Sequence, residues 1–146
     1  MNDRAQLPAQ LLLNLGALRD KALAADTLNT LAFSMANDLY PLLQFRQALV
    51  NLVLNAVEAM PQGGQLQLTL SRRGDMAEIT VGDTGKGIPL ENRQKIFQLF
   101  FTTRPGGSGI GLASTFRIVQ LHNGSIVFTS EVGRGTTFRI ELPLAA

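Results

Sequence analysis

The sequence contains no cysteine, which excludes disulfides, zinc–thiolate centres and a thiol nucleophile. It has a single histidine, His122, placed beside the helix-ending pair Asn123-Gly124. That poverty argues against a Ser-His-Asp or Cys-His triad and rules out a histidine-rich metal site. No apolar run approaches the roughly 18 residues needed to cross a bilayer. The opening Met-Asn-Asp-Arg lacks the basic-then-apolar layout of a signal peptide, so the expected location is cytoplasmic, without membrane insertion of this chain. Neither sign of charge dominates. Thirteen basic against 11 acidic residues leave a formal charge of +2, too little to suggest a nucleic-acid partner.

What remains is ordinary globular material of 146 residues, a length that fits one domain with a full core. The spacing of Leu11, Leu15, Leu18 and Ala22 predicts an amphipathic helix over residues 7–24, after a flexible lead of about six residues. Leu31, Phe33 and Met35 alternate like a strand, and Pro41 can open a helix over residues 42–60. Leu66, Leu68 and Leu70, then Ala77, Ile79 and Val81, mark two strands joined by a turn at residues 72–75. Residues 82–109 break into glycines, two prolines and a short helix expected near residues 91–99. A helix over residues 112–121 and strands through Ile126–Phe128 and Phe138–Leu142 close the chain. The predicted class is α/β: a two-layer sandwich of a mixed, mostly antiparallel sheet of about five strands, with three helices on one face.

The helix over residues 42–60 carries Gln47, Asn51, Asn55 and Glu58 at i, i+4, i+8 and i+11, one stripe on an otherwise Ala, Val and Leu surface. Such a stripe can be a solvated outer face. Two asparagines are mediocre helix formers there, however, and their neutral oxygens suit Mg²⁺ carrying phosphates and water. Next comes Val81-Gly-Asp83-Thr-Gly85-Lys86-Gly87-Ile-Pro89, an Asp at a strand end followed by alternating glycines. Read as chemistry, the Asp accepts a hydrogen bond from the exocyclic amine of adenine and the glycines let backbone approach the base. Read as structure, the segment is a glycine-rich loop with an Asx turn. A third segment, Arg104-Pro-Gly106-Gly107-Ser108-Gly109-Ile-Gly111-Leu112-Ala113, opens directly into a helix. Its exposed N–H groups would attract an anion, although it matches neither a Walker loop nor a dinucleotide fingerprint. Gly133-Arg-Gly135-Thr136-Thr137-Phe138, taken alone, is a tight turn into the last strand. Phe97, Phe100 and Phe101 are expected to pack the irregular segment onto the domain.

Taken in order, these segments resemble the ATP-binding catalytic domain of two-component sensor histidine kinases, in the superfamily shared with gyrase, the heat-shock chaperone ATPase and the mismatch-repair ATPase. Asn51-Leu-Val-Leu-Asn55-Ala is similar to the family's N box and Asp83-Thr-Gly-Lys-Gly87 to its first glycine box. Ile96-Phe97-Gln-Leu-Phe100-Phe101-Thr-Thr resembles the F box, Gly107-Ser-Gly109-Ile-Gly111-Leu112-Ala the second glycine box, and Gly133-Arg-Gly-Thr136 the third. Each box alone discriminates poorly; five in order are specific.

The resemblance implies Mg-ATP held under a flexible lid. Asn55 would coordinate the Mg²⁺ with Asn51 assisting, and Asp83 would read the adenine amine with Thr136 supporting it through water. Gly85 and Gly87 would shape the base pocket; Gly109 and Gly111 would hold the phosphates through backbone N–H groups, Gly107 and Leu112 would belong to the same nucleotide site, and Lys86 and Arg104 would neutralise the phosphates. In the hydrolysing members a Glu precedes the metal-binding Asn by one helical turn. Here that place holds Asn51, a poor base, which favours transfer of the γ-phosphate to a histidine. The acceptor histidine would lie on a separate dimerisation domain, with a response regulator further on, and a longer protein could be membrane-anchored. The rival readings are a nucleotide-binding module without transfer activity and an ATPase or serine-directed kinase of the same superfamily.

Overall fold

In a computed structural model of the chain, residues 9–14 and 46–144 are described. The architecture follows from three apolar rows of period two. β2 (Gln65–Arg73), β3 (Met76–Asp83) and β5 (Gly135–Pro143) bury alternate residues, as strands with one covered face must. Their register brings the rows together: Leu68 lies opposite Val81, which lies opposite Phe138, and Leu70, Ile79 and Ile140 form the next rank. β4 (Ser125–Glu131) adds Ile126 against Ile140 and Phe128 against Phe138. β1 (Ala9–Asn14) pairs along β2, completing a five-stranded sheet of order β1-β2-β3-β5-β4.

Two α-helices among the described residues cover the apolar face. α1 (Arg46–Glu58) buries Ala48, Leu49, Leu52, Val53 and Ala56, and α2 (Gly111–Leu121) buries Thr115 and Val119. All but Thr115 join one core cluster with the inner strand residues. Each fully buried Leu or Val is worth about 1.5–3 kcal/mol over its exposed state. Phe97 anchors the irregular segment, its ring centroid 5.2 Å from Phe116 and 6.0 Å from Phe128.

Several expectations change. The helix foreseen over residues 7–24 is a strand where it is described, at Ala9–Asn14. The run Leu11-Leu12-Leu13 suits either period, and the free edge of β2 takes it up through six residue pairs. Among the described residues the sheet is antiparallel at every pairing, where a mixed sheet was expected. β2–β3 and β4–β5 are hairpins, and the connection through α2 sends β4 to the edge, so β5 returns beside β3 in the opposite sense. The helix near residues 91–99 is a single 3₁₀ turn, Leu90–Asn92, followed by further i→i+3 turns such as Lys95 N–H to Asn92 C=O. Phe97 and Phe101 pack as expected, whereas Phe100 is 70% exposed in a left-handed conformation. The strand at residues 31–35 and the start of the helix at 42–45 lie outside the described residues.

Candidate functional site

At the ends of the apolar rows the side chains turn polar. Asp83 continues the row Ala77, Ile79, Val81; Thr136 precedes Phe138 and Ile140 on β5; Ser130 follows Ile126 and Phe128 on β4. These ends open into a cavity of about 510 Å³ between α1, the start of α2 and the loops after β3 and β4. That volume suits a small organic ligand.

Asp83 lies in the cavity wall. Its Oδ1 accepts the N–H of Gly85 at 2.8 Å and of Thr136 at 3.3 Å, which leaves Oδ2 as an acceptor for a ligand. Burial pushes its carboxyl above the ordinary value of 3.8, and the two backbone N–H groups pull it part of the way back. The loop that follows is fixed by close backbone approach. A Cβ on Gly85 would run into the carbonyl of Ala59 at the end of α1, where Lys86 N–H also donates at 3.0 Å. Ile88, Ile96 and Phe138 supply apolar wall beside Asp83, as a flat ring would need.

The α1 stripe divides. Asn55 and Glu58 line the cavity, but Asn51 does not. Asn51 Nδ2 donates to the carbonyl of Gly111 at 3.1 Å, which ties α1 to α2, and its Oδ1 accepts from Gln47 one turn earlier on α1 at 3.0 Å, so both ends of its amide are occupied. Opposite Asn55, Arg104 donates from Nη2 to Asn55 Oδ1 at 3.5 Å and forms an ion pair with Glu58. Among the described residues no three His, Cys, Asp or Glu cluster as a metal site. A divalent cation would therefore have to draw most ligands from a bound phosphate chain. Asn55 Oδ1 and the Glu58 carboxylate are hard oxygens already facing a cation, and they fit Mg²⁺ in that supporting sense.

On the far side, α2 begins at Gly111 with no side chain capping its first N–H groups, and Gly109, Gly111 and Leu112 line the cavity there. The preceding loop is pinched at its base, where Phe100 N–H meets the carbonyl of Gly109 at 2.9 Å. A Cβ on Gly109 would collide with the Phe100 backbone. Lys86, Gly87, Arg104 and Thr136 also line the cavity, whereas Gly85 and Gly107 do not. Sequence reasoning passed over Asn92, a lining residue, and Ser130, whose hydroxyl lies 2.8 Å from that of Thr136. For Ser130 a signal existed: it is a polar residue in a core-facing row.

Comparison with known proteins assigns the chain to a family. Residues 42–146 match the family model described as histidine kinase-, DNA gyrase B-, and HSP90-like ATPase. The chain belongs to that family. It is 41% identical over 114 residues to the sensor histidine kinase ZraS of Escherichia coli K12, covering 75% of this chain and 24% of that protein. It is 37% identical over 101 residues to sporulation kinase C of Bacillus subtilis, covering 69% of this chain and 24% of that protein. Among solved structures, the catalytic domain of histidine kinase ThkA superposes with TM-score 0.64 at 25% identity, over 92% of this chain and 96% of that one. Full-length ShkA in complex with AMPPNP gives TM-score 0.67 at 26% identity, over 84% of this chain and 30% of that one. The chain thus spans about a quarter of the length of the curated relatives it matches. Its likenesses are to sensor histidine kinases, and in ThkA to the catalytic domain itself.

Proposed function

We propose that this chain binds Mg-ATP and transfers the γ-phosphate to a histidine on a dimerisation and phosphoacceptor domain, as the catalytic part of a two-component sensor histidine kinase. A response regulator would receive the phosphoryl group next. Residues 1–146 would act as one catalytic unit in the cytoplasm. No helix among the described residues is long and apolar enough to cross a membrane.

The observation that carries the reading is the pairing, in one cavity, of a free Asp83 carboxylate oxygen with an uncapped helix N-terminus. The carboxylate accepts an amine, as adenine offers, and the helix end accepts anions, as the phosphates offer. Ile88, Ile96 and Phe138 would enclose the ring. Lys86, whose ammonium has no partner among the described residues, and Arg104 would neutralise phosphate charge. Mg²⁺, held by Asn55 together with phosphate oxygens, would offset charge on the β- and γ-phosphates. The chain's own work is to hold the phosphate chain still and keep water from competing. An acceptor imidazole, nucleophilic near neutral pH, then forms its N–P bond as the bond to the ADP oxygen breaks.

Transfer is favoured over hydrolysis because Asn51 is turned into the α1–α2 contact and offers no base to water. The one carboxylate near the Arg104 side, Glu58, is paired with that arginine. Labelled ATP added to this chain with a separately purified dimerisation domain should give an acid-labile, base-stable phosphoryl group on that domain. Nucleotide binding without such a product would reduce the chain to a binding module. Sustained phosphate release without an acceptor would favour an ATPase, with Glu58 as its base.

A further inference from the structure

The hydroxyl of Ser130 sits among three partners whose hydrogens can be counted. It accepts the N–H of Ile88 at 2.8 Å, faces the carbonyl of Gly135 at 3.2 Å and lies 2.8 Å from the hydroxyl of Thr136. The carbonyl can only accept, so the Ser130 hydrogen goes to it. Thr136 must then donate its own hydrogen to Ser130. This is the one assignment that satisfies all three contacts. It leaves the lone pairs of Thr136, 5% exposed and in the cavity wall, as the group offered to a ligand.

We infer that Ser130 is a positioning residue for base selection: it locks the Thr136 hydroxyl as an acceptor and so makes the base end of the cavity acceptor-only. The inference rests on the adenine-nucleotide reading above. Asp83 Oδ2 and Thr136 Oγ1 then both require hydrogens. A water between them spends both of its hydrogens on these two atoms and turns its own lone pairs to the ligand. Either way a 6-amino purine meets acceptors and is matched. A 6-oxo purine meets lone pairs and is rejected.

The lock is held rigidly. Arg93 donates from Nη2 to the carbonyl of Ser130 at 2.8 Å and from Nε to that of Ile88 at 3.1 Å, clamping the loop after β3 to the end of β4. Ser130 and Thr136 are also directly opposed in the β4–β5 ladder. Without the Ser130 hydroxyl, the Thr136 hydrogen is free to turn towards the cavity. A bridging water then has a hydrogen to spare for a 6-oxo group.

The test is calorimetric titration of ATP and of inosine triphosphate into the full chain. The wild type should prefer ATP. Ser130→Ala and the size-matched Ser130→Cys should each narrow that preference by about 2- to 10-fold, the factor of one neutral hydrogen bond. Ser130→Thr, which restores a hydroxyl, should return it towards the wild-type ratio. Adding Ser130→Cys to Thr136→Val should narrow the ratio no further than Thr136→Val does alone. Equal loss of both nucleotides in the two hydroxyl-free variants would mean that Ser130 only supports the fold, and would overturn the inference. A wild-type chain that binds neither nucleotide would overturn the nucleotide reading as well, an outcome the titration separates from the first.

Discussion

Replacing Asp83 by Asn tests the base contact with almost no change in shape. Asp83 has two oxygens with different duties: Oδ1 receives the Gly85 and Thr136 N–H groups, and Oδ2 is left for the ligand. An asparagine has one oxygen and one NH₂. If its oxygen keeps the two backbone donors, its NH₂ points at the adenine amine, donor against donor. If it turns over, the NH₂ faces the two backbone N–H groups instead. No orientation serves both. The loss is one charge-assisted hydrogen bond, about 1.5–3 kcal/mol, so ATP should bind roughly 10- to 150-fold more weakly.

Stability should move the other way or stay put. Burial raises the Asp83 pKa in the folded chain above its ordinary value. A group shifted upwards binds protons more tightly when folded, so it favours folding below its ordinary pKa and loses that contribution as pH rises through the folded value. At neutral pH the ionised carboxylate is therefore a cost to the fold, and a neutral asparagine with its oxygen on the backbone donors removes it. Without nucleotide, thermal melting of Asp83→Asn should match or exceed that of the wild type, while the ATP-induced rise disappears. The variant's relative affinity for inosine triphosphate should increase, since its NH₂ can donate to a 6-oxo group. A folded variant that binds ATP as tightly as the wild type would refute the assignment of Asp83 to the base.

Three further outcomes follow from the same geometry. The wild-type advantage in ATP affinity over Asp83→Asn should shrink as pH falls towards and below the raised Asp83 pKa, because the protonated carboxyl loses its charged acceptor; a gap constant down to the ordinary carboxylate range would contradict this. Asn55→Ala should weaken the Mg²⁺-dependent part of ATP binding by about 2- to 10-fold, as one lost hard-oxygen contact implies, and a wild-type Mg²⁺ titration would count against Asn55 as the metal contact. Asn51→Ala should cost about 0.5–1.5 kcal/mol in denaturant unfolding by removing the bond to Gly111, and it should disturb the Mg²⁺ titration less than Asn55→Ala; the reverse order would show that Asn51 reaches the metal.

How much of the fold could be read in advance depended on whether one face alone was covered. β2, β3 and β5 announce themselves because Leu66–Leu70, Ala77–Val81 and Phe138–Leu142 alternate buried and outward positions. β1 did not, because three successive leucines satisfy a helix and a strand alike, and the choice between them is made by the free edge of β2. Residues 84–110 have no period. Their shape comes from backbone meeting backbone, such as Gly85 against Ala59 and Gly109 against Phe100, and such contacts leave no repeat in a sequence.

The site was partly legible for a related reason. Helical spacing correctly put Asn51 and Asn55 on one stripe, but spacing says nothing about what covers each part of it. The start of α2 covers the upper part, where Asn51 meets Gly111, and leaves Asn55 and Glu58 open to the cavity. The stripe thus places one asparagine at the cavity and one between the helices. The more general signal lies in the strands. Once β3, β4 and β5 are known to turn one face to the core, a polar residue in a core-facing row must satisfy its hydrogen bonds inside the protein or in a pocket. Asp83, Ser130 and Thr136 are such residues, and they converge because antiparallel register sets the end of β3 beside the β4–β5 hairpin. Asp83 and Thr136 were recognised from glycine boxes, while Ser130 belongs to none. Applied to core-facing rows, the same rule finds all three, and it finds them through the sheet that holds them in place.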